Sequence, residues 1–226
     1  MNWLNKLPIA HRGLHSNANN IYENTKESFL AAVNENYAIE CDVVLSKDHE
    51  VVVFHDENLK RLCNLDKSIS SLTMNELRSL KIYESNSNII SLDEMLHVVS
   101  AHVPIIIEIK GKFTPFIEER IQEIIRSYRG PIALKTFNLK SVEWLIKFLP
   151  YVYKGLVIDS NTNNFEAILD LNIDFVSCDI EYIESNLVDR VKKKGLPIIT
   201  WTVDNEDKKK KANLIADNII FENIRP

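Results

Sequence analysis

Glu40 and Asp42 stand two residues apart in an apolar, β-branched run from Ile39 to Leu45. Side chains alternate faces along a strand, so both carboxylates point one way and Cys41 and Val43 the other. Burying two adjacent carboxylates is costly unless a cation or a proton offsets the charge, and a divalent cation bound by hard oxygens is the natural candidate. A second apolar run, Val51–Phe54, follows the polar turn Ser46–Glu50 and ends in His55-Asp56. That turn is too short for a parallel crossover, so the two runs form a hairpin, with Asp42 roughly opposite His55. Glu108 and Lys110 repeat the spacing at the end of the apolar strand Pro104–Lys110. Alone, they are read equally well as an internal ion pair. Beside Glu40 and Asp42, Glu108 becomes a third oxygen ligand for one Mg2+ or Ca2+ ion, and Lys110 faces a negative substrate group as a point charge.

His11 and His55 are the acid–base candidates, because imidazole titrates near neutrality. Arg12 offers a planar fork suited to phosphate oxygens. A metal site, an Arg, a Lys and two imidazoles without a Ser or Cys nucleophile favour phosphoester chemistry over acyl transfer. Glu23 has two open readings, reaching the metal shell or capping its helix.

These side chains need a scaffold that gathers strand ends. Strand-like runs at Leu7–Ala10, Pro131–Phe137, Gly155–Asp159, Asp174–Asp179, Pro197–Val203 and Asn218–Glu222 join those named above, nine in all. Helical patterns fall between them, at Pro115–Tyr128, Leu139–Phe148, Asn164–Leu171, Glu184–Lys194 and Glu206–Leu214. Thr73-x-x-Glu76 and Ser91-x-x-Glu94 announce two further helices by capping boxes, and Asn24 or Thr25 caps one that begins near Lys26. The alternation predicts a parallel sheet covered by helices, either a (β/α)8 barrel or an open doubly wound sheet. The barrel is preferred, because His11, Arg12, Glu40, Asp42, Glu108, Lys110, Lys135 and Trp201 all fall near the C-terminal ends of strands, where barrel active sites form. Val51–Phe54 is then the outer arm of a β-hairpin, and residues of about 43–90 make a small irregular excursion above the barrel. No Gly-x-Gly-x-x-Gly follows the first strand, so a dinucleotide site is not supported.

A chain of 226 residues with 45% hydrophobic content is most simply one α/β domain over residues 1–226. A net charge of −5 without a dominant basic patch argues against nucleic acid. Cys41, Cys63 and Cys178 give neither a disulfide framework nor zinc spacing and read as reduced thiols. With no signal-like or bilayer-spanning run, the expectation is a cytoplasmic protein without stable membrane insertion. Trp3 and Leu4 are expected to cover the bottom of the fold.

The chain resembles the glycerophosphodiester phosphodiesterase family. The resemblance rests on an ordered set of stretches: His11-Arg12-Gly13, Glu23-Asn24-Thr25 with Ser28-Phe29, Glu40-x-Asp42-Val43, His55-Asp56, Ser91-Leu92-x-Glu94, Glu108-Ile109-Lys110 and Trp201-Thr202-Val203-Asp204. It implies a barrel that hydrolyses a glycerophosphodiester to sn-glycerol 3-phosphate and an alcohol with a divalent metal. Glu40, Asp42 and Glu108 would bind the metal, His11 and His55 would move protons, and Arg12 and Lys110 would hold the phosphate. Trp201 would line the glycerol or leaving-group side. The sequence departs from the family pattern at Tyr22, at Asp48-His49 and at Phe221-Glu222. Two other readings stand beside this one: a lysophospholipase D or sphingomyelinase D-like enzyme, whose apolar rim would draw on Leu14, Ile21, Tyr22 and Phe113, and a non-catalytic phosphodiester-binding barrel.

Overall fold

The structure is a computed structural model that describes residues 3–163 and 165–226. Its strands are β1 (Ile9–Ala10), β2 (Ala38–Leu45), β3 (Val51–Val53), β4 (Ile105–Ile109), β5 (Ile132–Thr136), β6 (Tyr153–Ile158), β7 (Phe175–Asp179), β8 (Ile198–Val203) and β9 (Asn218–Phe221). They form one nine-stranded sheet in the order β1-β9-β8-β7-β6-β5-β4-β2-β3, and a further β1–β2 pairing closes it. Every pairing in the ring is parallel, and only β3 runs antiparallel, as the outer arm against β2. The result is a closed (β/α)8 TIM barrel with a hairpin and excursion above it, the fold preferred from the polar residues at the strand ends and not the open sheet that the alternation also allows.

Two layers of apolar side chains follow from the period of the strands. Ile9, Ala38, Ile106, Ala133, Phe175, Ile199 and Ile220 fill the barrel interior together with Leu4, which plugs its lower end. The alternate positions, among them Ile39, Cys41, Ile105, Ile107 and Val176, pack outward under the helices. Gly155 makes the interior fit, because a Cβ there would lie 2.4 Å from the Phe175 ring. β6 starts two residues before the expected Gly155, since Tyr153 and Lys154 pair with Ala133 and Leu134.

The surrounding helices include α1 (Lys26–Asn34), α2 (Lys60–Cys63), α3 (Met74–Ser79), α4 (Leu92–Val99), α5 (Pro115–Ile125), α6 (Leu139–Phe148), α7 (Phe165–Asp170), α8 (Asn186–Lys193) and α9 (Glu206–Ile215). The expected start of α7 at Asn164 lies outside the described residues. Thr25, Thr73 and Ser91 cap α1, α3 and α4 with reciprocal capping boxes. The excursion buries its own small cluster, including Phe54, Leu59, Leu62, Met74 and Leu77. It is a roof held by packing as well as by the hairpin.

Candidate active site

Strand register gathers the carboxylates. Asp42 pairs with Glu108, and Glu108 with Lys135, so three charged side chains stand at one height on adjacent strands. Glu40 lies one inward step below Asp42 on β2. Glu40, Asp42 and Glu108 are 0, 1 and 5% exposed, and one oxygen from each lies within 4.8 Å of the others.

The charge is answered by three cations. Lys135 Nζ lies 2.7 Å from Glu108 Oε2 and 3.1 Å from Glu40 Oε1. Lys110 Nζ lies 2.9 Å from Glu108 Oε1 and 3.8 Å from Asp42 Oδ1. Arg12 Nε lies 3.2 Å from Asp42 Oδ2, and the Arg12 amide donates to Glu40 Oε2 at 3.2 Å. Burial works against ionisation of Glu108, but Lys135 and Lys110 outweigh it and hold the carboxyl at about 2. Burial likewise opposes the Glu40 charge, and Lys135 again pulls its pKa down. Asp42 goes the other way: burial, then Glu40 and Glu108, push it up. The arrangement suits a hard cation. Its donors are all carboxylate oxygens, and Glu40 Oε1 is buried without an aligned hydrogen bond.

Arg12 reaches the cluster because the backbone turns sharply. Its φ is +55°, in the left-handed region that ordinary residues seldom occupy. Gly13 follows at φ +77°, where a Cβ would meet Ser28 Oγ at 2.4 Å. Arg12 Nη1 donates to Glu23 Oε1 at 2.7 Å, and Glu23 also accepts from Arg61 Nη1 at 2.7 Å. Glu23 is therefore not the cap of α1, which is Thr25; it bridges two guanidinium groups and lies outside the Glu40–Asp42–Glu108 group. Although burial opposes its charge, the bonds from Arg61 and Arg12 hold its carboxyl at about 2. Asn24 Nδ2 donates to Asp42 Oδ2 at 3.1 Å.

Both candidate imidazoles are anchored at Nδ1. His55 Nδ1 lies 2.7 Å from Asp56 Oδ1, and its Nε2 lies 3.3 Å from Lys110 Nζ. His11 Nδ1 lies 2.8 Å from Glu222 Oε2. A ring that donates from Nδ1 leaves Nε2 as the nitrogen able to accept or deliver a proton. The hairpin register differs from expectation by one residue: Val43 pairs with Val53, which sets Asp42 opposite Phe54. The turn closes from Ser46 to Glu50 through backbone and side-chain bonds, so its centre falls on Asp48 alone. His55 still joins the site, one step beyond the end of the ladder.

Trp201 occupies an inward position on β8, beside a register irregularity between Thr200 and Val203. Its ring stands edge-on to Phe137 at 5.9 Å, and its Nε1 is buried with no hydrogen-bond partner. Of the residues not assigned a role from sequence, Lys135 was visible as a charge at a strand end. Arg61 gave no local signal, and Glu222 was visible only as a departure from the family pattern. Among the described residues no helix is long and apolar enough to cross a membrane.

Comparison with known proteins converges on one group. A sequence profile of the glycerophosphoryl diester phosphodiesterase family matches residues 11–225. The glycerophosphodiester phosphodiesterase of Caldanaerobacter subterraneus subsp. tengcongensis is 30% identical over 96% of this chain and 93% of its own length. A solved glycerophosphodiester phosphodiesterase from Thermotoga maritima superposes with a TM-score of 0.79 at 27% identity, covering 95% of this chain and 94% of its own. The fold is also that of a phosphodiesterase from Oleispira antarctica, solved in complex with the product sn-glycerol-3-phosphate. There the TM-score is 0.84 at 22% identity, over 96% of this chain and 93% of the other.

Proposed function

Because the chain belongs to the glycerophosphoryl diester phosphodiesterase family, we propose that residues 1–226 act as one catalytic domain that hydrolyses glycerophosphodiesters to sn-glycerol 3-phosphate and an alcohol. The observation that carries this reading is the buried Glu40–Asp42–Glu108 cluster, with Arg12 and Lys110 beside it and an imidazole on either side. Those three carboxylates would hold one divalent ion, Mg2+ or Ca2+, which when bound supplies positive charge to the phosphodiester oxygens. Arg12, fixed by Glu23 and Asp42, and Lys110 bind the non-bridging oxygens. Of His11 and His55, one takes a proton from the nucleophile, either water itself or first the glycerol 2-hydroxyl, as the new P–O bond forms; in the second case water then opens the cyclic phosphate. The other gives a proton to the departing alkoxide as the old bond breaks. Trp201 lines the glycerol or leaving-group side. The free thiols of Cys41, Cys63 and Cys178 suit the cytoplasm.

The test is release of glycerol 3-phosphate from a panel of water-soluble glycerophosphodiesters, after chelation and again with Mg2+ or Ca2+ restored. The expected outcome is loss on chelation and recovery with one of the ions. Undiminished turnover in chelator would remove the metal from this account, and no release from any diester would remove the activity.

One observation favours a lipid version of the same reaction. Of the four rim residues expected from sequence, Leu14 is only 6% exposed within the outer core, whereas Ile21, Tyr22 and Phe113 are half-buried, Tyr22 against Tyr83 at 5.0 Å. A groove of about 520 Å3 also lies beside Lys110, between the hairpin and the start of α5, lined by the apolar Val44, Leu45, Ile69, Phe116 and Ile117 and by the polar or charged Lys47, His49, Glu57 and Lys112. Its apolar wall suits an acyl chain attached to a phosphodiester held at Lys110. Phe116 is 58% exposed, and an acidic residue in the first turn of a helix is tolerated, so Phe116→Asp leaves the fold intact. Turnover of lysophospholipid is expected to fall about tenfold in this variant, a loss of about 1.4 kcal/mol, with water-soluble diesters unaffected. Equal turnover of lysolipid by parent and variant would dismiss the groove.

A further inference from the structure

β1 and β9 close the barrel with Ile9 opposite Ile220 and Ala10 opposite Phe221. Ile9 and Ile220 belong to the interior cluster, whereas Ala10 and Phe221 belong to the outer one. Strand alternation therefore turns the next pair, His11 and Glu222, inward side by side. Backbone bonds hold both at that height: the His11 amide donates to the Phe221 carbonyl at 2.9 Å, and the Glu222 amide to the Val203 carbonyl at 3.1 Å. Asn223 then turns the chain away at φ +58°, and Ile224 packs against the outer core. The backbone at Phe221 and Glu222 is thus tied to the strands on both sides.

We propose that Glu222 is the positioning residue of His11: its carboxylate accepts the Nδ1 proton at 2.8 Å and so turns the unprotonated Nε2 towards the phosphodiester. This rests on the reading of His11 as a proton-transfer group. The alternative tautomer would put the proton on Nε2 and leave Nδ1 facing a carboxylate with nothing to donate. When Nε2 takes a proton, the ring becomes a cation and Glu222 lies against it as the counter-charge. Among the described residues, the ion-pair partners of Glu222 are imidazoles only, His11 and, at 3.5 Å, His15 Nε2. Bonds from these two rings keep its carboxyl well below the usual range, so it is present as the anion. Asp56, the corresponding anchor of His55, instead shares its charge with Arg61 Nε at 2.7 Å. The two imidazoles are oriented in the same way, but only His11 has a carboxylate without a fixed cation.

The test compares Glu222→Gln, Glu222→Ala and Glu222→Asp with His11→Ala, each assayed well below its own melting temperature. Loss of the carboxylate behind a catalytic imidazole costs up to about 10^4 in kcat in a serine protease. Here Gln and Ala are expected to lower kcat at least about 100-fold with KM little changed, and Asp is expected to recover most of that loss. In 15N spectra the His11 ring of the parent is expected to show the Nδ1–H form, and that of the Gln variant to lose it. Because Glu222 acts through His11, adding Glu222→Ala to His11→Ala is expected to cost nothing more. Parent-like kcat in both Gln and Ala variants, with His11→Ala lowered at least about 100-fold, overturns the inference, as does a further loss in the double variant. More than a tenth of the parent kcat in His11→Ala itself would instead overturn the role given to His11.

Discussion

A Lys135→Met variant is expected to be destabilised by about 3–5 kcal/mol when divalent cations are chelated, the usual cost of removing one partner from a buried ion pair. Lys135 is 2% exposed and sits between Glu40 and Glu108, at 3.1 and 2.7 Å. Methionine fills much of the same volume but leaves two buried carboxylates facing each other. For a chain of this size the loss amounts to a fall in melting temperature on the order of 10 °C. A bound divalent ion is expected to restore part of it, by about 2.7 kcal/mol at a hundredfold excess over its Kd. The acid limb of stability should change as well. Glu108 is held at about 2 against an ordinary 4.5, so its contribution is fully present above pH 4.5 and is lost as the pH falls towards 2. Without Lys135 that limb should flatten. Thermal melts in chelator, with and without Mg2+ or Ca2+, decide the matter. A variant that melts within 2 °C of the parent in chelator would mean that Lys135 does not balance the carboxylates.

His11→Ala and His55→Ala are each expected to lower kcat by about 10^2–10^4, the range for a positioned acid or base, while melting close to the parent. The two losses should separate when the leaving group is changed. An aliphatic alkoxide needs a proton to depart, whereas nitrophenolate is a stable anion at neutral pH. A nitrophenyl phosphodiester should therefore rescue the variant that lacks the acid and leave the one that lacks the base impaired. Either variant keeping more than a tenth of the parent kcat on a glycerophosphodiester would exclude that imidazole from proton transfer. Rescue of both, or of neither, would rule out a division of labour between them.

The parts of this site that were legible in the sequence are those written locally. The i, i+2 pairs Glu40/Asp42 and Glu108/Lys110 declare their common face through strand alternation alone, and the capping boxes at Thr73 and Ser91 mark two helix starts to the residue. The barrel is preferred because polar residues fall at the C-terminal ends of β1, β2, β4, β5 and β8. What stayed hidden depends on ring closure. The Arg61–Glu23 bond spans 38 residues and the His11–Glu222 bond 211, and no periodicity links such positions. Lys135 was seen as a charge but not as a bridge, because its partners lie on two other strands. The hairpin register slipped by one because Ser46 bonds back to Glu50, which a count of apolar residues does not reveal.

β1 is only two residues long, and its neighbours are β2 and β9. On the ribosome β9 emerges after every other strand of the barrel, so the nascent chain carries an open sheet with two exposed edges until Asn218–Phe221 leave the tunnel. His11 precedes its carboxylate by 211 residues and waits without it until the last strand of the barrel is made. Pairing of such distant segments is slow, and unpaired strand edges invite association with other chains. Closure of the ring and the pairing of His11 with Glu222 thus come together, in one late event.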